Sequence, residues 1–271
     1  MPLQAVLEAL SVDTWERLRD SRPLQIRFGE ETITDLLLLD LKRKNPPRTR
    51  IIQTPKSKEK DQGTDWEWWI GSPRVKWLRF AVQAKKLDLK TFRYSAFAHK
   101  VGSDLQIDLL ERYATRNRAI PLYCLYNFAK APATVNAWRC CQAFDEPQLA
   151  CTVTPADIVR HAINHRGCRS FQWLHKQPQT LPWRCLARCP RVQRLFLQPP
   201  NSPEPPSLSQ QMFGRAALRY STLPSEVEGA LTTGRLDSFS SEYYDPNLGL
   251  YPRRVVVLEF DPEEEKEFAA G

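Results

Sequence analysis

Long hydrophobic runs are missing from this 271-residue sequence. Its longest aliphatic block covers only residues 36–39, far short of the roughly 20 apolar residues that cross a bilayer. Glu8 lies inside the apolar stretch near the N-terminus, and no basic segment precedes that stretch as it would in a signal peptide. We therefore expect a cytoplasmic protein with no membrane partner.

Several motifs of common enzyme classes are also missing. The sequence contains no glycine-rich phosphate loop, no G-x-S-x-G nucleophile elbow and no dinucleotide-binding fingerprint, and it has no internal repeat. Its seven cysteines are an odd number in a chain long enough to fold without disulfides, which predicts reduced thiols.

Basic residues are in excess. Lysine and arginine total 39 against 31 aspartate and glutamate, a formal net charge of +8, in an otherwise ordinary globular composition with 42% hydrophobic residues. A positive surface attracts polyanions, so this balance favours a nucleic-acid partner.

The periodicity of the first half predicts an α/β fold. Apolar residues recur at helical spacing over residues 2–18 and 30–42, and strand-like patterns follow at 49–54, 65–70 and 76–87. A further helix is predicted at 104–113, capped by Ser103 or Asp104, and a buried strand at 120–127. The core order is therefore helix, three strands, helix, strand, and we assign it with the N-terminal helix to residues 1–130.

The second half, residues 131–271, is predicted as an α+β extension packed on the same core. It contains strand patterns at 150–154 and 253–260, and a helix that begins near Pro155 and continues to about residue 165. A proline- and serine-rich loop covers 198–211, and an acidic tail follows residue 261.

Polar residues converge where two of the predicted strands meet. Asp65 begins one strand, whereas Gln83 and Lys85 lie two residues apart near the end of the next, so both point to one face. Antiparallel pairing would bring the start of the first strand beside the end of the second. Oxygen atoms of Asp65, Gln83 and Glu31, on the preceding helix, could then hold Mg²⁺, with an exposed Lys85 beside the reacting water and phosphate.

This arrangement resembles the PD-(D/E)xK nuclease superfamily, in the Mrr-like variant that has glutamine in the final motif. The matching residues are Glu31, Asp65, Gln83 and Lys85, within residues 28–130. The segments GTDWEWW, VQAKKL, QIDLL and IPLYCLYN also look like an uncharacterised bacterial family of that superfamily. The resemblance implies a restriction-endonuclease-like core and a nuclease that uses Mg²⁺ or Mn²⁺ to cut DNA in preference to RNA. It further implies a role in defence against phage or plasmids.

Other residues near this site allow two interpretations each. Glu30 could replace Glu31 as the helix carboxylate, and Glu67 is either a second ligand or an exposed strand carboxylate. Gln106, at the start of its helix, either contacts the scissile phosphate or orients a ligand, or it only caps the helix and is solvated. Core packing is favoured over base stacking for the tryptophans, and the cations Lys86, Lys90 and Arg93 are candidates to follow a nucleic-acid backbone. The tryptophans concerned are Trp66, Trp68 and Trp69.

Three alternatives to a DNA nuclease remain open at this point. Gln83 in place of an acid suits a degenerate nucleic-acid-binding or scaffold module, and a toxin-like RNase would share the same site. His161, His165, Cys185 and Cys189 form two i,i+4 pairs that could in principle bind structural zinc. Because no feature reads a base sequence, specificity would have to come from a homo-oligomer, a modification or a partner protein of a defence system.

Overall fold

The computed structural model describes residues 1–46, 48–53, 64–74, 76–130, 134–188, 222–225, 227–229 and 254–259. The helices within these ranges are α1 (Leu3–Ser21), α2 (Glu30–Lys44), α3 (Gln106–Arg116), α4 (Ala156–Asn164), α5 (Phe171–Lys176) and α6 (Cys185–Arg188). The strands are β1 (Thr49–Gln53), β2 (Trp66–Ser72), β3 (Lys76–Lys86), β4 (Lys100–Val101), β5 (Asp104–Leu105), β6 (Ile120–Tyr126), β7 (Cys151–Pro155), β8 (Leu181–Pro182) and β9 (Arg254–Glu259).

A mixed sheet organises the fold. Its strands follow the order β1-β9-β2-β3-β6-β7-β8, while β4 and β5 form a separate short hairpin. β3 lies antiparallel to β2 and parallel to β6, and β9 lies parallel to β2. The predicted α/β class is confirmed, and the helices and strands predicted in the described residues are present with small shifts of their ends.

Two helical layers cover this sheet. On one face, Trp183 next to α6 packs against Trp68, and Thr34 of α2 bonds to the hydroxyl of Tyr126. On the other face, α3 and the turn Ser95–Ala98 lie over the strands. The predicted burial of the tryptophans in β2 is confirmed, because each of the three is at most 3% exposed.

The β2–β3 hairpin fixes the relative position of its two strands. Trp66 pairs with Val82, and the strands run together to the pair of Ser72 with Lys76. Gly71 is required here, since a Cβ atom at this position would collide with the backbone carbonyl of Lys76. The start of β2 therefore lies next to the end of β3.

The start of α3 differs from the prediction. Asp104 does not cap this helix, because it lies in β5 and its side chain pairs with Arg112. The residue that precedes α3 is Leu105, and no side chain caps the helix there. The first turn of α3 therefore begins with Gln106.

Residues 131–271 contribute strands to the same sheet. β7 and β8 extend it beyond β6, and β9 is inserted between β1 and β2. The predicted loop at 198–211 and the acidic tail after residue 261 lie outside the described residues. Among the described helices, none combines the length and the apolar composition needed to cross a membrane.

Candidate active site

The side chain of Asp65 is held at the junction of β2 and β3. Its backbone amide donates to the carbonyl of Val82 at 2.8 Å. Its Oδ2 atom accepts hydrogen bonds from the backbone amide of Ala84, at 2.8 Å, and from Nε2 of Gln83. The predicted proximity of Asp65 and Gln83 is therefore present, and backbone geometry defines the position of the carboxylate.

Lys85 lies under the start of α2. Its ammonium is 3.5 Å from Oε2 of Glu30, whose Oε1 accepts a hydrogen bond from the backbone amide of Lys86 at 2.9 Å. The expectation of an exposed lysine is wrong, because Lys85 is only 4% exposed. The helix carboxylate that pairs with Lys85 is Glu30, the alternative to Glu31, although both carboxylates line the same pocket.

This pocket has a volume of about 290 Å³ and joins parts of the chain that are distant in sequence. Its lining includes the carboxylates of Glu30, Glu31 and Asp65 and the cations of Lys85 and Arg254. The remaining lining residues are Thr34, Gln83, Ala96, His99 and Gln106. Opposite charges share one concave site, as a charged substrate and a cation would require.

Two buried oxygen atoms at the pocket have no hydrogen-bond partner among the described residues. They are Oε1 of Gln83, a residue that is 2% exposed, and Oε1 of Gln106. An unsatisfied buried carbonyl costs roughly 1–3 kcal/mol, so a ligand that accepts its lone pairs would stabilise the site.

The donor set at the pocket fits a hard divalent cation. Asp65, Gln83 and Glu31 offer only oxygen, which is what Mg²⁺ selects. In the described part of the chain no three His, Cys, Asp or Glu side chains are grouped as a metal site, so the fit depends on the amide oxygen of Gln83.

Glu67 lies in the core instead of the pocket. Its carboxylate pairs with Arg79 at 2.6 Å and accepts further hydrogen bonds from Tyr113, at 2.5 Å, and from the indole of Trp69. Both interpretations of Glu67, a second metal ligand and an exposed strand carboxylate, are therefore corrected. It is a completely buried carboxylate stabilised by ionic and hydroxyl donors.

The three candidate backbone-binding cations differ in their surroundings. The ammonium of Lys86 donates to the carbonyl of Phe28, and burial lowers its pKa. Arg93 donates to the carbonyl of Arg166. Lys90 is exposed. Lys90 is thus accessible, Arg93 is bonded to a neighbouring turn, and the ammonium of Lys86 contacts the segment before α2.

The two pairs proposed for zinc have other partners. The rings of His161 and His165 stack on each other with centroids 4.2 Å apart. Cys185 donates a hydrogen bond to the sulfur of Cys140, 3.3 Å away. Cys189 lies outside the described residues. Among the described residues no group of three or more His, Cys, Asp or Glu side chains could hold a metal ion.

Sequence reasoning missed Arg254 and His99. Arg254 begins β9, which runs parallel to β2; this residue lines the pocket and its side chain also pairs with Asp35 of α2. His99 follows the turn Ser95–Ala98, and its carbonyl accepts from the amide of Gln106. The two arginines that begin the strand-like run at 253–260 were the available signal, but nothing in their spacing indicates the neighbouring strand.

A family model described as a family of unknown function, DUF6615, matches residues 3–263, which is nearly the whole chain. No curated protein and no solved structure matches the sequence.

Proposed function

We propose that this chain, which belongs to the DUF6615 family, is a metal-dependent nuclease that hydrolyses phosphodiester bonds of nucleic acid. The observation that carries the proposal is the meeting of Asp65, Gln83 and Lys85 in a pocket that also contains the α2 carboxylates. The order of α2, β1, β2, β3, α3 and β6 along the chain supports a restriction-endonuclease-like core, as the resemblance to PD-(D/E)xK nucleases implies.

Each side chain has a role that follows from its position. Asp65, Gln83 and Glu31 would hold Mg²⁺ or Mn²⁺ through oxygen. The bound cation supplies charge neutralisation at the phosphate and activates water for attack. Lys85, fixed by Glu30, donates to a phosphate oxygen and stabilises the negative charge that grows as the transition state forms.

DNA is the preferred substrate in this proposal, and the reasons lie outside the pocket. The excess of eight positive charges favours a polyanion but does not separate DNA from RNA. The resemblance to nucleases that mostly cut DNA supplies that choice, together with the proposed role against phage or plasmids. A homo-oligomer or a defence-system partner would then provide specificity.

Cleavage assays test the proposal directly. The purified full chain is incubated with supercoiled plasmid, circular single-stranded DNA or RNA, in Mg²⁺, Mn²⁺ or EDTA. We expect metal-dependent cleavage of DNA that Asp65→Asn lowers at least about 100-fold. The exposed carboxylate variant Asp20→Asn serves as the matched control and should cleave as wild type.

Cleavage of RNA alone would instead identify a toxin-like ribonuclease. If wild type cuts none of the three substrates with either metal, also after a candidate partner protein is added, the proposed activity is wrong.

A non-catalytic nucleic-acid-binding module is the second candidate. It is favoured by the internal pairing of the site, because the amide of Gln83 bonds to Asp65 and the ammonium of Lys85 is paired with Glu30. Calorimetry separates the two candidates. A nuclease should bind Mn²⁺ through Asp65 and lose that binding in Asp65→Asn, whereas a binding module should bind nucleic acid but should not bind Mn²⁺ through Asp65.

A further inference from the structure

Three aromatic rings form a stack outside the pocket, on the surface of α4 and α5. The ring of His161 lies against His165, with centroids 4.2 Å apart and planes inclined by 21°. The ring of His161 also lies nearly parallel to that of Trp173, with centroids 5.2 Å apart and planes inclined by 8°. Both histidines are exposed and Trp173 is half-buried, so solvent reaches the stack.

Hydrogen bonds within the chain order the stacked rings without a ligand. Nδ1 of His165 is 3.0 Å from the carbonyl of His161, which orients the outer ring. The backbone amide of Trp173 donates to Oγ of Ser170 at the start of α5. Rings that are already ordered lose little conformational entropy when a planar ligand packs on them.

Basic residues adjoin these rings, since Arg166 follows His165 and Arg93 pairs with Ser170, the residue before α5. Arg93 donates to the carbonyl of Arg166, which joins the turn after β3 to the segment that follows His165. Arg166 and Lys90 are both exposed. The acidic residue on the same turn is Asp88, whose carboxylate accepts from the backbone amide of Lys90. We call His161, His165, Trp173, Arg93, Arg166 and Lys90 the stacking patch.

The stacking patch is close to the candidate active site along the chain. Arg93 lies three residues before Ala96, which lines the pocket, and three residues span at most about 11 Å. Tyr94 between them is fixed to the patch, since its amide donates to the carbonyl of Arg169 at 2.9 Å. A strand of nucleic acid that leaves the pocket would therefore reach Arg93 of the patch within a few nucleotides.

We propose that the stacking patch binds a single-stranded segment of nucleic acid next to the phosphate in the pocket. Bases can stack on the histidine and tryptophan rings only when their faces are free, whereas the faces of bases in a duplex are covered by the neighbouring base pairs. Arg93, Arg166 and Lys90 would contact the phosphates of the same segment. The position relative to a scissile phosphate rests on the proposed nuclease function, while the binding itself does not.

Equilibrium binding of a fluorescein-labelled oligothymidylate to the full chain, in EDTA to prevent cleavage, tests this proposal. We expect the double variant His161→Ala/His165→Ala to bind about tenfold or more weakly. Arg166→Ala should lower the slope of log affinity against log salt by about 0.7, the value for one single-strand phosphate contact. Lys76→Ala, an exposed lysine at the far end of β3, should leave both quantities unchanged.

Tryptophan emission provides a second measurement that does not depend on the histidines. The oligonucleotide should quench wild-type emission, and Trp173→Phe should remove part of that quenching. The proposal is overturned if the double variant melts as wild type and binds the oligothymidylate as tightly as wild type. It is also overturned if the double variant loses as much affinity for a duplex of the same length as for the single strand. Binding is measured in EDTA and cleavage in Mg²⁺ or Mn²⁺, so failure of the nuclease proposal and failure of the patch give different results.

Discussion

Lys85→Met is the variant that most directly examines the catalytic proposal. Methionine approximates the four-carbon stem of lysine and lacks the ammonium, which is 3.5 Å from Glu30. Loss of one group that stabilises transition-state charge typically costs about 100- to 1,000-fold in rate, or roughly 2.7–4 kcal/mol. We expect that loss in the rate constant for cleavage and not in substrate affinity, since the stabilised charge develops mainly in the transition state.

The stability of this variant depends on burial. An exposed lysine could be truncated at a cost below about 0.5 kcal/mol, but Lys85 is 4% exposed. Lys85→Ala would leave a cavity, and removal of a buried side chain of this size costs about 2 kcal/mol or more. Methionine fills that space. Glu30 keeps its bond to the amide of Lys86 and is partly solvated, so we expect a change in the free energy of unfolding of about 1 kcal/mol or less.

Single-turnover plasmid cleavage, urea unfolding and Mn²⁺ calorimetry on Lys85→Met give the three required quantities. Lys76→Ala is the matched control, because this exposed lysine lies at the other end of the same strand. Cleavage within about threefold of wild type would refute a catalytic role for the ammonium. Loss of Mn²⁺ binding would refute the separation of Lys85 from the metal ligands, and a large loss of stability would show that Lys85 is structural.

Three further predictions concern neighbouring groups. Glu67→Gln should lower the free energy of unfolding, measured in urea, by about 3 kcal/mol, because it removes the carboxylate that pairs with the buried charge of Arg79. The affinity for Mn²⁺ should not change. Weaker Mn²⁺ binding would show that Glu67 is a metal ligand. Burial lowers the pKa of His175 to about 4, so only the unfolded chain takes up this proton between about pH 6.5 and 4. The contribution of His175 to the free energy of unfolding should therefore be complete above pH 6.5 and should fall by up to about 3 kcal/mol towards pH 4. His175→Gln should remove this part of the dependence of the free energy of unfolding on pH. Glu31→Gln should weaken Mn²⁺ binding, whereas Glu30→Gln should mainly slow cleavage; the reverse pattern would exchange their roles.

The local part of the site could be predicted from sequence because β-strand geometry has a fixed period. Gln83 and Lys85 point to the same face since they are two residues apart, and a hairpin with a glycine turn brings Asp65 beside them. These relations between neighbouring residues do not depend on the rest of the fold. The tryptophans of β2 are equally local, because a strand near the middle of a sheet buries its side chains on both faces.

Relations between elements could not be predicted in the same way. Glu30 and Glu31 are about 100° apart on α2, so a small rotation of the helix decides which carboxylate meets Lys85. The burial of Lys85 follows from where α2 crosses the end of β3, which no residue spacing encodes. Glu67 is similar: alternation places it on the face of Asp65, but that part of the face is covered by α3, whose Tyr113 contacts it.

Arg254 shows why the second half of the chain belongs to the site. β9 is hydrogen-bonded to β1 on one side and β2 on the other, so without it β1 would have no partner strand and β2 would expose an edge. Arg254 at its start is 6% exposed and pairs with Asp35 of α2, the helix that carries Glu30 and Glu31. Since the same helix must lie over Lys85, the β9 contact helps to set the position of both pocket carboxylates. Residues 1–130 therefore contain the groups that would do the chemistry but not all the contacts that hold them in place.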